Sequence, residues 1–142
     1  MNIIIKKVKS DKDFADSMTI RRDVFIVEQS VPVSIERDEF EASCDHFMSP
    51  LDGEVVSTGR LRRVDSIIKF ERIASLKKVR GKGIGRKLMS FMQEYAQAKY
   101  PGYILKMHAQ ASAISFYTQI GWIAEGEIFE EAGIEHQIMT FS

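Results

Sequence analysis

The run Arg80-Gly81-Lys82-Gly83-Ile84-Gly85 contains the residue types that can hold an anion on backbone alone. Glycine takes φ > 0 without steric cost and lets a ligand approach the main chain closely. A helical pattern begins at once: Ile84, Leu88, Phe91, Met92 and Tyr95 recur at helical spacing, predicting a helix over residues 83–99. The first amides of a helix have no intrahelical partner and carry the positive end of its dipole. Glycine turn and helix start together make an anion site best suited to phosphate. Lys82, Arg86 and Lys87 add positive charge beside it. The same spacing also fits a plain strand-to-helix turn whose glycines serve only close packing.

Two familiar phosphate motifs fail on counting. A P-loop needs a second glycine five residues after the first, and from Gly81 that position is Arg86. A dinucleotide fingerprint needs Gly-x-Gly-x-x-Gly, and its last position falls on Arg86 from Gly81 or on Leu88 from Gly83.

Other side chains could do proton chemistry. Tyr117 follows Phe116 on a short amphipathic stretch and carries a phenol that keeps its proton at neutral pH. Glu71 lies two residues before Ile73 on a strand pattern, which puts the two on one face. His108 ends another strand pattern, and imidazole changes charge near neutrality. Asp45-His46 and His136 are weaker candidates for the same task. Each of these also suits a surface or hydrogen-bonded strand position. Glu36, Asp38, Glu39, Glu41 and Asp45 cluster on a loop and could draw a cation or be a solvated face. Arg60, Arg62 and Arg63 could instead meet an anion. No His, Cys or Asp spacing suggests a metal site.

The elements that must position these groups follow from periodicity and turn chemistry. Residues 3–8 read as a strand, and Ser10 or Asp11 can cap a helix carrying Phe14, Met18, Val24 and Phe25. Residues 47–49 and 55–61 read as strands joined by a turn with Asp52-Gly53 at its tip. Asp65-Ser66 makes another turn before a strand at 67–76. After the helix ended by Pro101-Gly102 come a strand at 103–108, a short helix from about Ser112 stopped by Gly121, and closing strands at 122–124 and 135–141. This order predicts an α+β fold with helices packed on a mostly antiparallel sheet.

With 142 residues, the chain suits one domain spanning residues 1–142. Twenty basic residues balance twenty acidic ones, so charge gives no reason to expect nucleic acid or an anionic membrane as partner. Cys44 is the only cysteine, which excludes an intrachain disulfide and suits a reducing cytoplasm. Its expected role is packing rather than nucleophilic chemistry. The N-terminal apolar run is too short for a signal peptide or a membrane span.

Arg80-x-x-Gly83-x-Gly85 resembles the acyl-CoA signature Gln/Arg-x-x-Gly-x-Gly/Ala of the GNAT (Gcn5-related N-acetyltransferase) superfamily. Downstream, Ala109-Gln110 and Phe116-Tyr117-x-x-x-Gly121-Trp122 are similar to the GNAT segment ending in Tyr-x-x-x-Gly-Phe. Residues 21–25, Glu28-Gln29, residues 133–136 and Met139 look like the small bacterial ElaA- and YjcF-like group.

The resemblance implies a mostly antiparallel central sheet flanked by helices on both faces, and transfer of an acetyl group from acetyl-CoA to a primary amine without an acyl-enzyme. The backbone of Gly81, Gly83, Gly85 and Arg86, with Arg80 and Lys82 beside it, would hold the pyrophosphate. The strand ending in Ile73 and Ser75 would pair with the pantetheine arm and splay from its neighbour, and the Ile73 N–H would polarise the thioester carbonyl. Tyr117 would protonate the leaving thiolate, with packing alone as its other reading. Glu71 and His108 stay open as general base, although counting back from Arg80 puts the best-known family glutamate nearer Lys69. The acceptor, a small-molecule amine or a peptide, stays unnamed, and the resemblance also admits a homodimer. A non-catalytic acyl-CoA-binding sensor or interaction module is the alternative.

Overall fold

A computed structural model describes residues 3–141. Its seven strands form one sheet in the order β1-β2-β3-β4-β5-β7-β6. The strands are β1 (Lys6–Lys7), β2 (Asp45–Leu51), β3 (Glu54–Val64), β4 (Ile67–Ser75), β5 (Ile104–Gln110), β6 (Ile123–Glu131) and β7 (Ile134–Phe141). Every neighbouring pair is antiparallel except β4 and β5. That parallel pair needs a crossover, which α3 (Ile84–Lys99) supplies.

Helices cover both faces, as expected. On one face α3 sets Leu88, Met89, Met92 and Ala96 against Phe47, Leu61, Ile68 and Phe70 in the main core. Trp122 and Tyr117, the latter on α4 (Ile114–Gln119), join the same core. On the other face α1 (Asp11–Arg21) runs into a π-helical segment, Arg22–Glu28. Ile20, Val24 and Phe25 from this pair pack on Ala74 in a second core. Ser10 caps α1 by accepting from the Asp13 amide at 3.1 Å. A four-residue helix, α2 (Val33–Glu36), starts after Pro32 in what the sequence presents as a loop.

Three expectations need correction. The strand expected over residues 3–8 pairs as a ladder only at Lys6–Lys7, with a lone bridge between Ile3 and Leu51. Beyond it Ile4 donates to the Pro50 carbonyl, while Pro50 itself has no amide to donate back. The strand expected at 122–124 continues to Glu131 and returns through a two-residue turn, Ala132-Gly133, with φ of 53° and 76°. Its pattern is nearly all exposed because β6 is an edge strand, and charges protect such edges.

The third correction concerns Glu71 and Ile73. Thr58 pairs with Ala74 and Arg60 with Glu71, so Gly59 alone opposes both Arg72 and Ile73. Arg72 takes φ +57°, and the alternation of faces shifts by one residue. Glu71 therefore lies among Arg60 and Arg62, while Ile73 packs into the main core on the opposite face. A Cβ on Gly59 would sit 2.8 Å from Met92 Sδ, so glycine lets the bulge press against α3.

Candidate active site

The bulge opens the sheet. β4 and β5 pair from Ile67/Ile104 only as far as Phe70/Met107, although β4 continues to Ser75 and β5 to Gln110. β5 stays with β7 instead, through Gln110 opposite His136. The parted strands flank a cleft of about 430 Å³, whose lining includes Glu71, Ile73, His108 and Tyr117. Such a volume suits a small ligand or one arm of a larger one. Arg72 and Ile73 have no register partner on either neighbouring strand. The reciprocal amide pair Gln29–Gln110, at 2.8 and 3.3 Å, ties the π-helical segment to the end of β5.

The glycine turn lies at the far end of β4, outside the cleft lining. Gly81 and Gly83 have φ of 80° and 81°, and Gly83 is the N-cap of α3 without any side-chain cap. A Cβ at either would meet nothing within 4 Å, so the turn faces open space. Gly85 lies inside the first helical turn, where a Cβ would touch the Phe116 ring at 3.5 Å. Lys82, Arg86 and Lys87 are exposed around it. The Arg80 guanidinium is spent otherwise: it grips Glu28 at 2.7 and 2.8 Å and donates to the Ser75 carbonyl at 3.0 Å. Arg80 thus fastens the turn to the π-helical segment.

The titratable residues of the cleft differ in what they can do. Tyr117 is 8% exposed, and burial pushes its phenol above its ordinary pKa, so it keeps its proton. Its ring is held by edge contacts with Phe116 and Trp122. Burial alone would raise the Glu71 pKa, but hydrogen bonds from Arg62 and Arg60 at 3.0 and 2.9 Å overcome it and lower the pKa. Glu71 is therefore a poor proton acceptor. His108 Nδ1 sits 3.0 Å from Glu131 Oε2, and Phe129 meets the imidazole edge-on. A carboxylate at Nδ1 selects the tautomer whose Nε2 is free to take a proton. Nothing in the sequence signals Glu131, because its strand carries no apolar alternation to reveal it. His136 also lines the cleft, with Nδ1 donating to the Ile134 carbonyl at 2.7 Å. Asp45, His46 and Cys44 lie outside the cleft lining. Burial pushes the Cys44 thiol up to about 11, in keeping with a packing role.

Apart from the exposed Glu39, the acidic loop is neither a solvated face nor a free cation trap. Arg21 and Arg60, each 1% exposed, reach into it from α1 and β3. Arg21 binds Glu36 at 2.7 Å and Glu41 at 2.7 and 2.8 Å. Arg60 binds Asp38 at 2.7 and 2.9 Å, Glu41 at 2.8 Å and Glu71 at 2.9 Å. Arg72 adds hydrogen bonds to the Glu36 and Ile35 carbonyls and to Asp38, which hold the left-handed backbone of the bulge. Asp45 lies elsewhere, bound to Lys7, Lys99 and Tyr95.

The network makes the fold acid-sensitive. Arg60 holds the Asp38 carboxyl at about 2. Burial opposes ionisation of Glu41, but Arg21 and Arg60 hold it at about 2 against an ordinary 4.5. Folded-state values below the unfolded ones mean stability is complete above pH 4.5 and is lost as pH falls toward 2. The urea midpoint is expected to hold from neutrality to about pH 5 and then to fall steadily through that window.

The GNAT acetyltransferase domain model matches residues 8–142. The chain belongs to the GNAT family. It is 37% identical over 132 residues to the uncharacterised N-acetyltransferase YjcF of Bacillus subtilis strain 168, covering 90% of this chain and 91% of YjcF. Escherichia coli ElaA has the same fold, with a TM-score of 0.89 at 24% identity over 99% of this chain and all of that one. The PaiA N-acetyltransferase of Thermoplasma acidophilum, solved with coenzyme A, superposes with a TM-score of 0.76 at 15% identity over 99% of both chains. Acyl transfer from an acyl-CoA is the chemistry of GNAT acetyltransferases. Among the described residues there is no group of His, Cys, Asp and Glu side chains able to hold a metal, and no helix long and apolar enough to cross a membrane.

Proposed function

We propose that the protein is an N-acetyltransferase that moves an acetyl group from acetyl-CoA to a primary amine by direct attack. The observation that carries this reading is the parting of β4 from β5 after Phe70 and Met107, with Ile73 and Tyr117 lining the gap and an uncapped helix start beyond it. The amides of Gly81, Gly83, Gly85 and Arg86 bind the pyrophosphate, with Lys82 and the Arg86 side chain adding charge. The backbone from Ile73 to Ser75 guides the pantetheine arm toward the cleft. The Ile73 N–H polarises the thioester carbonyl, a contribution of roughly 3 kcal/mol for a preorganised donor. His108, oriented by Glu131, takes the amine proton as the C–N bond forms. Tyr117 gives its proton to the sulfur as the C–S bond breaks. His108 is preferred to Glu71 because arginines hold Glu71 ionised, while Glu131 leaves the Nε2 of His108 free.

The anion site has a test that separates charge from backbone strain. At φ +81° any side chain at residue 83 carries the same conformational penalty, about 1–2 kcal/mol. Gly83→Ala is expected to remain stabilised against heat by acetyl-CoA. Gly83→Glu is expected to lose that stabilisation, because its carboxylate enters the phosphate site. Equal binding by both variants would remove the cradle assignment.

A further inference from the structure

The strand register sets three cations side by side. Arg62 on β3 pairs with Lys69 on β4, and Lys69 pairs with Lys106 on β5. Register partners point to the same face, and this is the face of His108, two residues beyond Lys106. Like charges directly opposite one another destabilise a sheet unless something neutralises them. Among the described residues, the carboxylate hydrogen-bonded to this row is Glu71, through Arg62 at 3.0 and 3.2 Å, and Arg60 already shares it. Lys69 Nζ forms an ion pair with Glu71 Oε2 at 3.7 Å but no hydrogen bond, so one carboxylate is shared among Arg60, Arg62 and Lys69. Arg62 and Lys69 both line the cleft.

The acidic side is committed. Both oxygens of Asp38 and of Glu71 accept from arginines. Glu36 Oε2 is bound to Arg21, and Glu36 Oε1 is sealed from solvent without a hydrogen bond, 4.0 Å from Arg37. Glu131 is engaged with His108. Cations outnumber carboxylates at this end of the cleft, since Glu71 is shared by Arg60, Arg62 and Lys69, and a positive excess is not what a polycationic acceptor would need.

We infer that the acceptor is a small amine carrying an anionic group, a carboxylate or a phosphate, seated on Arg62 and Lys69 at the cleft wall, with Lys106 beside Lys69 on the next strand, while its amine faces His108. The inference rests on the acyl-transfer reading above. Lys106, the register partner of Lys69, and His108 lie two positions apart on β5, about 7 Å, so the two groups of the acceptor lie several bonds apart.

The test compares γ-aminobutyrate and phosphoethanolamine with n-butylamine and putrescine as acceptors, with acetyl-CoA saturating. The two anionic arms tell carboxylate from phosphate. At least one of them is expected to exceed both butylamine and putrescine by about tenfold or more in kcat/KM, the scale of one charge-assisted contact. Lys69→Met keeps the apolar stem, so its effect is expected as a rise of about tenfold in KM for the anionic acceptor. That loss falls on the anionic acceptors and not on butylamine, and Lys69→Arg restores them. Thermal stabilisation by acetyl-CoA serves as the control for folding and donor binding. Putrescine as the best acceptor, or an equal loss for all amines in Lys69→Met, would overturn the inference and leave the donor site standing. Absence of any stabilisation by acetyl-CoA in the unmodified protein would overturn the acyl-transfer reading itself.

Discussion

Tyr117→Phe is expected to lower kcat by roughly 10²–10⁴-fold, the usual worth of a positioned proton donor, with little change in acetyl-CoA affinity. The substitution removes one oxygen and keeps the ring. Phe116 and Trp122 hold that ring by edge contacts, so packing survives. The phenol makes no hydrogen bond to another described residue, and burial keeps it protonated. Both features suit a group waiting to donate to a sulfur that becomes basic only during the reaction. A steady-state comparison of kcat with the acetyl-CoA dissociation constant checks this. If turnover is unchanged, the residue only packs, and the proton must come from elsewhere.

The second large effect is on stability. Arg60→Leu is expected to destabilise the fold by roughly 3–5 kcal/mol, because it takes one buried guanidinium from three carboxylates at once and leaves each with fewer cations. Arg60 alone connects Asp38, Glu41 and Glu71. Without it, Asp38 keeps the Phe40 amide at 3.1 Å and one cation, Arg72, at 3.3 Å, and that arginine anchors the β4 bulge. The variant should therefore widen or collapse the cleft as well as lower the urea midpoint. Arg62→Leu tests the contrast. Arg62 is more exposed and hydrogen-bonds only Glu71 among these carboxylates, so its loss should cost clearly less. Equal midpoints for Arg60→Leu and the unmodified chain would mean that the network contributes shape and not stability.

The parts of this molecule legible in its sequence are those with local causes. The α3 helix begins one residue after the expected start and ends at Lys99, because its apolar spacing and glycine start are both local signals. Asp52-Gly53 and Asp65-Ser66 turn where their residue types demand, with positive φ at Asp52, Gly53 and Asp65. The resemblance carried by Arg80, Gly83, Gly85 and Tyr117 pointed to the family that the whole-chain comparisons then showed.

What stayed hidden depends on contacts distant in the chain. No local rule places an arginine in the left-handed region, as Arg72 is. Hydrogen bonds to residues 35, 36 and 38 hold it there, and it moves Ile73 off the face of Glu71. Acidic loops are usually solvated, and only Arg21 and Arg60 arriving from other elements bury this one. Glu131 sits on an edge strand whose exposed pattern looks like a loop, so no periodicity marks it as the partner of His108.

Acetyl transfer to an amine is tested most directly by mixing the purified protein with acetyl-CoA and a panel of primary amines and peptides, reading products by mass spectrometry and free thiol together. An acetylated amine is expected to appear in step with released thiol and to vanish in Gly83→Glu. Saturable binding of acetyl-CoA with no acetylated product from any acceptor would contradict it and leave a binding module in place of an enzyme.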